Sequence, residues 1–386
     1  MLQVTNTQQS PSAAGVTRIR KSRHRGELRR GYTTGACATA ASLAALQWLC
    51  GGESSAPERV TIQLPIGEQA SFDVIPHSLE PGRACCAVIK DAGDDPDCTH
   101  GAAITATVAL EEQPGIRFEA GEGLAVVTLP GLELAVGEPA INPVPRKMMR
   151  EHLLPLLQQF GLSGVRVSIS VPGGEVLAEQ TIGRRLGLVG GLSILGTRGT
   201  VNPYSTSAYA ASVRQSIQVA RAQGLEQVVL TTGSRTEKAA MSHHPDLTDT
   251  AFIQVGDFTG VGLRAGARYG VRRLELVTMI GKLCKLVSGT MMTHVSGRPI
   301  DFELMASLAT DHCQDKVVID QIRQANTGRH ILERVRGVLP QSYLQSLCAE
   351  AARHCAEYSH NAFSVSVRLV DFDGSTLACA CHGELQ

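Results

Sequence analysis

The densest group of reactive side chains lies in residues 90–100, which read KDAGDDPDCTH. Four aspartates within seven positions repel one another unless cations or N–H groups hold them. A calcium loop of the EF-hand type is not matched, because its sixth-position glycine and closing glutamate are missing. A solvated acidic turn is one interpretation. We favour a polar active-site loop in which Lys90 and Asp91 bind substrate, while His100, a group suited to proton transfer near neutral pH, and Asp94 act in catalysis.

A second candidate site precedes a predicted helix at residues 36–49. Thr33 or Thr34 can cap this helix, and Arg29 and Arg30 stand just before the cap. Free N–H groups and the helix dipole at such an end bind anions. A plain threonine cap beside two solvated arginines explains the same residues, and chemistry alone does not separate the two readings.

Arg146 is a third candidate, in a proline-rich turn that begins with Asn142 and leads into a predicted helix at residues 147–160. Cations at a helix start oppose the helix dipole, so Arg146 is not explained by helix stability. Carboxylate binding is one hypothesis, and a surface turn is the other.

Glycine-rich turns after predicted strands form the fourth candidate. Ligands of parallel α/β sheets bind at the carboxyl ends of the strands, where glycines let the backbone approach. Strands are predicted at residues 186–195, 227–231 and 251–255, and no Walker-type phosphate loop follows the first. Close helix–sheet packing, with an aspartate as helix cap, is the competing explanation. The ligand-binding candidates are Gly190, Gly191, Gly196, Thr232, Gly233 and Asp257.

Composition excludes several classes of protein. Hydrophobic residues make up 43% of the 386 residues, and 36 basic residues balance 36 acidic ones, so a nucleic-acid partner is not indicated. The 11 cysteines lack zinc spacing, which predicts no structural metal and reduced thiols in the cytoplasm. The uncharged stretch at residues 31–52 is too poor in large apolar residues for a membrane span. A homo-oligomer is compatible with these features.

Three segments are predicted along the chain. Residues 1–27 form a flexible basic tail. Residues 28–180 are dominated by strands with few helices, which is typical of an α+β domain. Residues 181–386 alternate strand with helix, the pattern of a parallel sheet covered by helices, and end in several helices.

Several phrases of this sequence resemble the CbiD family, the cobalt-precorrin-5B C(1)-methyltransferases. The most specific are LRRGYTTGACATAA at residues 28–41 and CAVIKDAGDDPDCTHG at residues 86–101. RLGLVGGLSILGTRG at residues 185–199 and GKLCKLVSGTMMTH at residues 281–294 follow in order. The resemblance therefore runs through most of the chain.

The resemblance implies methylation at C1 of cobalt-precorrin-5B, giving cobalt-precorrin-6A, in anaerobic cobalamin biosynthesis. It implies S-adenosylmethionine as donor, cobalt only as part of the tetrapyrrole substrate, and an α+β domain followed by a Rossmann-like α/β domain. The glycine-rich turns would then bind the donor. A non-catalytic corrinoid carrier and a methyltransferase for another ring position are the alternatives. The substrate's carboxylates would meet Arg29, Arg30, Thr33, Thr34, Lys90, Asp91 and Arg146.

Overall fold

The computed structural model describes residues 28–294 and 297–383, so the predicted basic tail lies outside the described residues. Buried apolar side chains form one large core from Ala36 to Ile194. A second large core is formed by residues between Val213 and Ala378. A smaller, separate cluster is formed by residues between Val229 and Val370. The chain therefore builds two successive α/β halves.

Strands and helices are numbered here in chain order. The strands are β1 (Gly31–Tyr32), β2 (Arg59–Gln63), β3 (Gln69–Asp73), β4 (Ile75–Glu80), β5 (Arg83–Ile89), β6 (Ala103–Glu111), β7 (Gly115–Ala120), β8 (Val126–Val127), β9 (Gly164–Ser170), β10 (Leu188–Val189), β11 (Thr200–Val201), β12 (Gln227–Thr231), β13 (Phe252–Gln254), β14 (Arg273–Thr278), β15 (Ser364–Val370) and β16 (Thr376–His382). The helices are α1 (Thr34–Gly51), α2 (Pro143–Gln159), α3 (Gly174–Ala178), α4 (Thr206–Ala222), α5 (Ser234–His243), α6 (Thr259–Tyr269), α7 (Ile280–Val287), α8 (Phe302–Thr310), α9 (Lys316–Arg323), α10 (Gly328–Val335) and α11 (Gln341–Tyr358).

A five-stranded sheet with the order β4-β5-β6-β9-β7 organises the first half. Its strands are antiparallel except for β7, which runs parallel to β9. Helix α1 lies across β5 and β6 and beside α2. The sheet thereby buries one face under a helical layer.

Helix α1 is the predicted uncharged helix, and its interpretation as a buried element is confirmed. It begins after Thr33, whose side chain accepts a hydrogen bond from the N–H of Ala36. Most of its residues are buried, and the hydroxyls of Thr39 and Ser42 donate to carbonyls of the same helix at 2.8 and 2.7 Å. Internal hydrogen bonds make these polar groups compatible with burial. None of the described helices has the length and apolar character that a membrane crossing requires.

The second half contains a five-stranded sheet with the order β13-β12-β14-β15-β16. The first four strands are parallel and β16 is antiparallel to β15. The predicted strand at residues 227–231 has the bounds of β12. Sequence periodicity missed α5, α9 and the edge strand β16, which are short or carry polar faces.

The predicted strand at residues 186–195 is wrong. Only β10 is extended there, and it pairs with β8 of the first half. Gly187 and Gly190 adopt φ values of 76° and 95°, which interrupt an extended backbone. Leu192 and Ile194 belong to the first core. The cores thus divide after Ile194, later in the chain than the predicted domain limit at residue 180.

Two glycines allow the segment before α1 to touch the acidic loop backbone to backbone. A Cβ atom at Gly31 would lie 2.0 Å from the carbonyl carbon of Ala92. At Gly93, which has φ of 67°, it would lie 2.3 Å from the carbonyl oxygen of Arg29. Only glycine permits this approach, so the two candidate segments form one structure.

We predict that Gly31→Ala lowers the free energy of unfolding by about 1–3 kcal/mol, the range of an overpacked core. Gly281→Ala is the matched control, because its added Cβ atom meets nothing within 4 Å inside α7. That substitution should be neutral or stabilise by about 0.5–1 kcal/mol. Urea unfolding measures both, and equal midpoints would contradict the packing described here.

Candidate functional site

The acidic loop is hydrogen-bonded to the chain before α1. The N–H of Tyr32 donates to the carbonyl of Asp91 at 2.7 Å, and the N–H of Arg29 donates to Oδ2 of Asp94 at 2.9 Å. The guanidinium of Arg29 forms a two-bond ion pair with the Asp91 carboxylate. Three residues predicted to bind substrate or act in catalysis therefore lie together and engage each other.

The ion pair with Arg29 stabilises the charged form of the Asp91 carboxylate. The hydrogen bond from Arg29, followed by one from the N–H of Gly93, lowers the pKa of Asp91 to about 2. Asp91 therefore stays charged from neutral pH down to strongly acidic solution. Because both side chains are about half exposed, the pair contributes little to stability.

His100 is placed by the same loop. Its Nδ1 atom accepts a hydrogen bond from the N–H of Ala92 at 3.1 Å, so Nδ1 carries no proton. The 3.8 Å approach of Nδ1 to Asp91 is consequently not an ion pair. In this arrangement, Nε2 is the ring nitrogen of His100 that can donate a proton. The catalytic roles of His100 and Asp94 stay predictions, since neither residue lines the cavity that Lys90 and Thr33 line.

Lys90 is buried, with 1% of its surface exposed. Its Nζ atom donates to Oδ2 of Asp97 at 2.7 Å. The other oxygen of Asp97 accepts from the N–H and the hydroxyl of Thr99 at 2.8 and 2.6 Å. Burial alone would raise the pKa of Asp97, but these hydrogen bonds outweigh burial and lower that pKa. Lys90 and Asp97 therefore form an ion pair in which the lysine is buried and the carboxylate is one-quarter exposed, and sequence reasoning missed Asp97.

A partly open cavity of about 240 Å³ adjoins this pair. Lys90, Thr33, Thr34 and Gly191 line it, which brings three predicted substrate residues next to one predicted donor residue. Its remaining wall is mostly apolar and includes Leu132, Ile182, Leu186, Leu188, Leu192, Leu195 and Val201. Ser212 and Gln215 of α4 complete it from the second half. A mostly apolar cavity with few converging polar groups is the usual form of a small-molecule site.

The N–H groups of Gly35 and Ala36 at the start of α1 already have hydrogen-bond acceptors within the protein. The N–H of Gly35 donates to the carbonyl of Leu195 at 3.0 Å, and that of Ala36 to the hydroxyl of Thr33 at 3.2 Å. The hydroxyl of Thr34 bonds both polar backbone groups of Leu195. The helix end therefore does not offer those N–H groups to an anion. Arg30, by contrast, is exposed and has no partner within the described residues.

Arg146 lies in the first turn of α2 and is largely buried. Its guanidinium donates to the carbonyls of Ile141 and Pro139 at 2.7 and 3.0 Å. It also stacks over the ring of Phe118, 5.7 Å from the ring centre. The structure thus uses Arg146 to hold the chain before α2, away from the cavity lining, and its substrate role stays a prediction.

Thr232, Gly233 and Asp257 meet at the carboxyl ends of β12 and β13. Lys282, at the start of α7, donates to the carbonyls of Thr232 and Gly256 at 2.8 and 3.0 Å and lies 3.2 Å from Oδ1 of Asp257. The hydroxyl of Thr293 also reaches that oxygen, at 3.1 Å. Sequence reasoning missed Lys282, although a lysine directly after a strand end was a usable signal.

Gly190, Gly191 and Gly196 lie elsewhere, against the first half. A Cβ atom at Gly191 would lie 2.0 Å from the carbonyl oxygen of Gly123, and one at Gly196 2.3 Å from the Thr33 hydroxyl. Gly191 and Gly196 therefore permit close packing beside the cavity, whereas a Cβ atom at Gly190 would make only an ordinary contact, 3.7 Å from the carbonyl oxygen of Leu124. They do not end a strand of the parallel sheet as the sequence predicted.

A hydrogen-bonded chain joins the cavity wall to that sheet edge. Arg185, from the turn Gly183–Leu186, pairs with the buried carboxylate of Glu237 on α5. The second oxygen of Glu237 accepts from the Gln254 amide at 2.7 Å. The carbonyl of Gln254 accepts from the Tyr209 hydroxyl at 3.1 Å. Cavity and sheet edge are therefore held in a fixed relation.

Metal-binding and thiol chemistry find little support. In residues 28–294 and 297–383, no group of three His, Cys, Asp or Glu side chains could hold a metal ion. Cys98 directly follows Asp97 and lines the cavity, and burial raises the pKa of its thiol. A thiol that stays protonated is a poor nucleophile or ligand.

Two halves, each a sheet covered by helices, that share a largely apolar cavity define a small-molecule binding protein or enzyme. The CbiD family model matches residues 21–203, and the model of the CbiD C-terminal domain matches residues 292–381. The chain belongs to the CbiD family.

Curated relatives match nearly end to end. The cobalt-precorrin-5B C(1)-methyltransferase of Geobacillus sp. (strain WCH70) is 44% identical over 358 residues, which cover 92% of this chain and 98% of the relative. The enzyme of that name from Leptospira interrogans serovar Lai is 43% identical over 91% of this chain and 95% of its own. A crystal structure of cobalamin biosynthesis protein (cbiD) from Archaeoglobus fulgidus shares 28% identity over 69% of this chain and 82% of that chain, with a TM-score of 0.38.

We predict that Lys90→Ala destabilises the protein by up to about 3 kcal/mol, because Asp97 loses its partner where water has limited access. The double variant Lys90→Met/Asp97→Asn should recover most of that loss. The pair's stabilisation exists above the unfolded pKa of aspartate, about 3.9, and disappears as pH falls through the lowered folded pKa. Denaturant unfolding at several pH values measures these effects, and an unrecovered double variant would argue against the ion pair.

Proposed function

We propose that this protein transfers a methyl group from S-adenosylmethionine to C1 of cobalt-precorrin-5B, giving cobalt-precorrin-6A in cobalamin biosynthesis. The names of relatives that are 43–44% identical over about nine-tenths of the chain support this proposal. The structural observation that carries it is the largely apolar cavity beside the Lys90–Asp97 pair.

Methyl transfer from a sulfonium needs alignment and a dry site more than acid–base chemistry. Bringing the acceptor carbon and the methyl group into line accounts for most of such a rate enhancement. Water must be excluded, and the leucine-rich cavity wall favours that. The partly buried Lys90–Asp97 pair at its edge adds fixed charge that solvent screens less than it screens a surface pair.

The acceptor is a large ring with many carboxylates, and it exceeds a cavity of about 240 Å³. Only the reacting edge of such a ring would enter, while its carboxylates stay outside near exposed cations. Arg30 suits that role because it is exposed and unpaired within the described residues. Thr33, Thr34 and Lys90 would contact the part that enters.

For the donor, we propose that the second sheet acts as a Rossmann-like platform whose strand ends at Thr232–Gly233 and Asp257 hold S-adenosylmethionine. Oδ1 of Asp257 is engaged by Lys282 and Thr293, whereas Oδ2 has no hydrogen bond within the described residues. That free oxygen can accept a ribose hydroxyl. The bound donor would supply an activated methyl group, and the chain's own residues would orient and desolvate it.

The decisive activity experiment uses the full chain, cobalt-precorrin-5B and S-adenosylmethionine labelled in its methyl group, under anaerobic conditions. We expect one label at C1 of the corrinoid and stoichiometric S-adenosylhomocysteine. A label at another ring carbon would reassign the reaction. An unlabelled corrinoid with both reactants intact would favour a carrier.

Asp257→Asn tests the donor site. We expect the dissociation constant for S-adenosylhomocysteine to rise about tenfold or more, the effect of losing a charge-assisted hydrogen bond of at least about 1.5 kcal/mol. Asp73→Asn, at an exposed position on β3, is the matched control. Titration calorimetry on both folded variants measures this. Unchanged affinity in Asp257→Asn would move the donor to the first half or to the cleft between the halves.

A further inference from the structure

A second cavity, of about 580 Å³, lies between α5 and the turn that joins β15 to β16. Helix α5 contributes Arg235, Lys238 and His243, which share one face at helical spacing. The turn contributes Phe372 and Asp373. This basic pocket is separate from the cavity beside Lys90, with which it shares no lining residue.

The cations of the basic pocket exceed its anions. Arg235 and Lys238 make no ion pair with any described acidic residue. Asp373 is engaged by its own turn, because its carboxylate accepts from the N–H and the hydroxyl of Ser375 at 2.9 and 2.6 Å. Asp371 beside it pairs with Arg336. Arg235 and Lys238 together outweigh the single carboxylate of Asp373, so the lining keeps a net positive charge for an anion from outside.

Phe372 gives the pocket an apolar surface with a defined orientation. Its side chain is 45% exposed. The guanidinium carbons of Arg329 and Arg235 lie 4.7 and 5.6 Å from the ring centre. Cation–π contacts of this kind hold the ring in place, and nearly half of the ring's surface stays exposed. A flat ligand with carboxylates around its rim would meet the ring and the cations at the same time.

The position of the pocket relative to the sheet is also informative. Helix α5 begins directly after Gly233, and β15 ends at Val370, just before Asp371. Because β12 and β15 are both parallel to β14, both segments leave the sheet at its carboxyl edge. That edge also carries Thr232 and Asp257. A ligand in the basic pocket would therefore lie on the donor's side of the sheet.

We propose that the basic pocket binds peripheral carboxylates of the tetrapyrrole substrate, with Arg235 and Lys238 as their partners and Phe372 in contact with the ring system. The identity of the ligand rests on the proposed function. The pocket itself rests on its unpaired cations, its exposed aromatic ring and its place at the sheet edge.

Fluorescence titration of the full chain with uroporphyrin, a stable tetrapyrrole polycarboxylate, tests the pocket. We expect Arg235→Gln/Lys238→Gln to weaken binding about tenfold or more, as the loss of charge-assisted hydrogen bonds requires. Coproporphyrin, which has fewer carboxylates, should bind the wild type more weakly, and that difference should shrink in the double variant. Phe372→Ala should weaken both porphyrins alike.

Arg83→Gln/Lys316→Gln is the control. It removes the same charge from two exposed residues that form no ion pair within the described part of the chain. The proposal is overturned if the control and the pocket variant bind uroporphyrin alike, or if uroporphyrin fails to bind the wild type. It is also overturned if citrate at the same concentration displaces uroporphyrin from the wild type. Methyl transfer to cobalt-precorrin-5B separates the two proposals. If the pocket variant keeps wild-type activity and an unchanged KM, only the proposal about the pocket is rejected. If the wild type binds porphyrin but shows no methyl transfer, only the proposed function is rejected.

Discussion

The contact between Gly31 and Gly93 is the constraint on which the first half depends. At this point two backbones lie closer than any side chain would permit. The contact places Arg29 between Asp91 and Asp94 and starts α1 at the edge of the cavity. N–H groups and two cations hold all four aspartates of the loop in place. The Gly31–Gly93 contact is what brings Arg29 within reach of two of them.

The buried Lys90 follows from the same arrangement. A lysine with 1% exposure is costly unless its charge is paired, and Asp97 with Thr99 supplies the pairing. The resulting ion pair faces a cavity whose other walls are mostly apolar. The pair therefore lies where a charged and an apolar surface meet.

The relation between the two halves is set by hydrogen bonds as well as by apolar contact. Arg185, Glu237 and Gln254 connect the cavity wall to the end of β13, and Lys282 ties the ends of β12 and β13 together. These bonds hold the cavity wall and the carboxyl ends of β12 and β13 in a fixed relation to one another. The polar groups are satisfied, which makes their burial possible.

Sequence by itself determined much of this protein. Thr33 and the uncharged residues after it predicted a buried capped helix, because local capping and composition decide such an element. The phrases around Lys90 and Gly281 identified the family. Tertiary structure alone decided that Asp97 pairs with Lys90, that Arg146 bonds carbonyls, and that Gly190 and Gly191 lie against the first half. These outcomes depend on backbone approach between distant segments, and no local pattern of residues encodes such contacts.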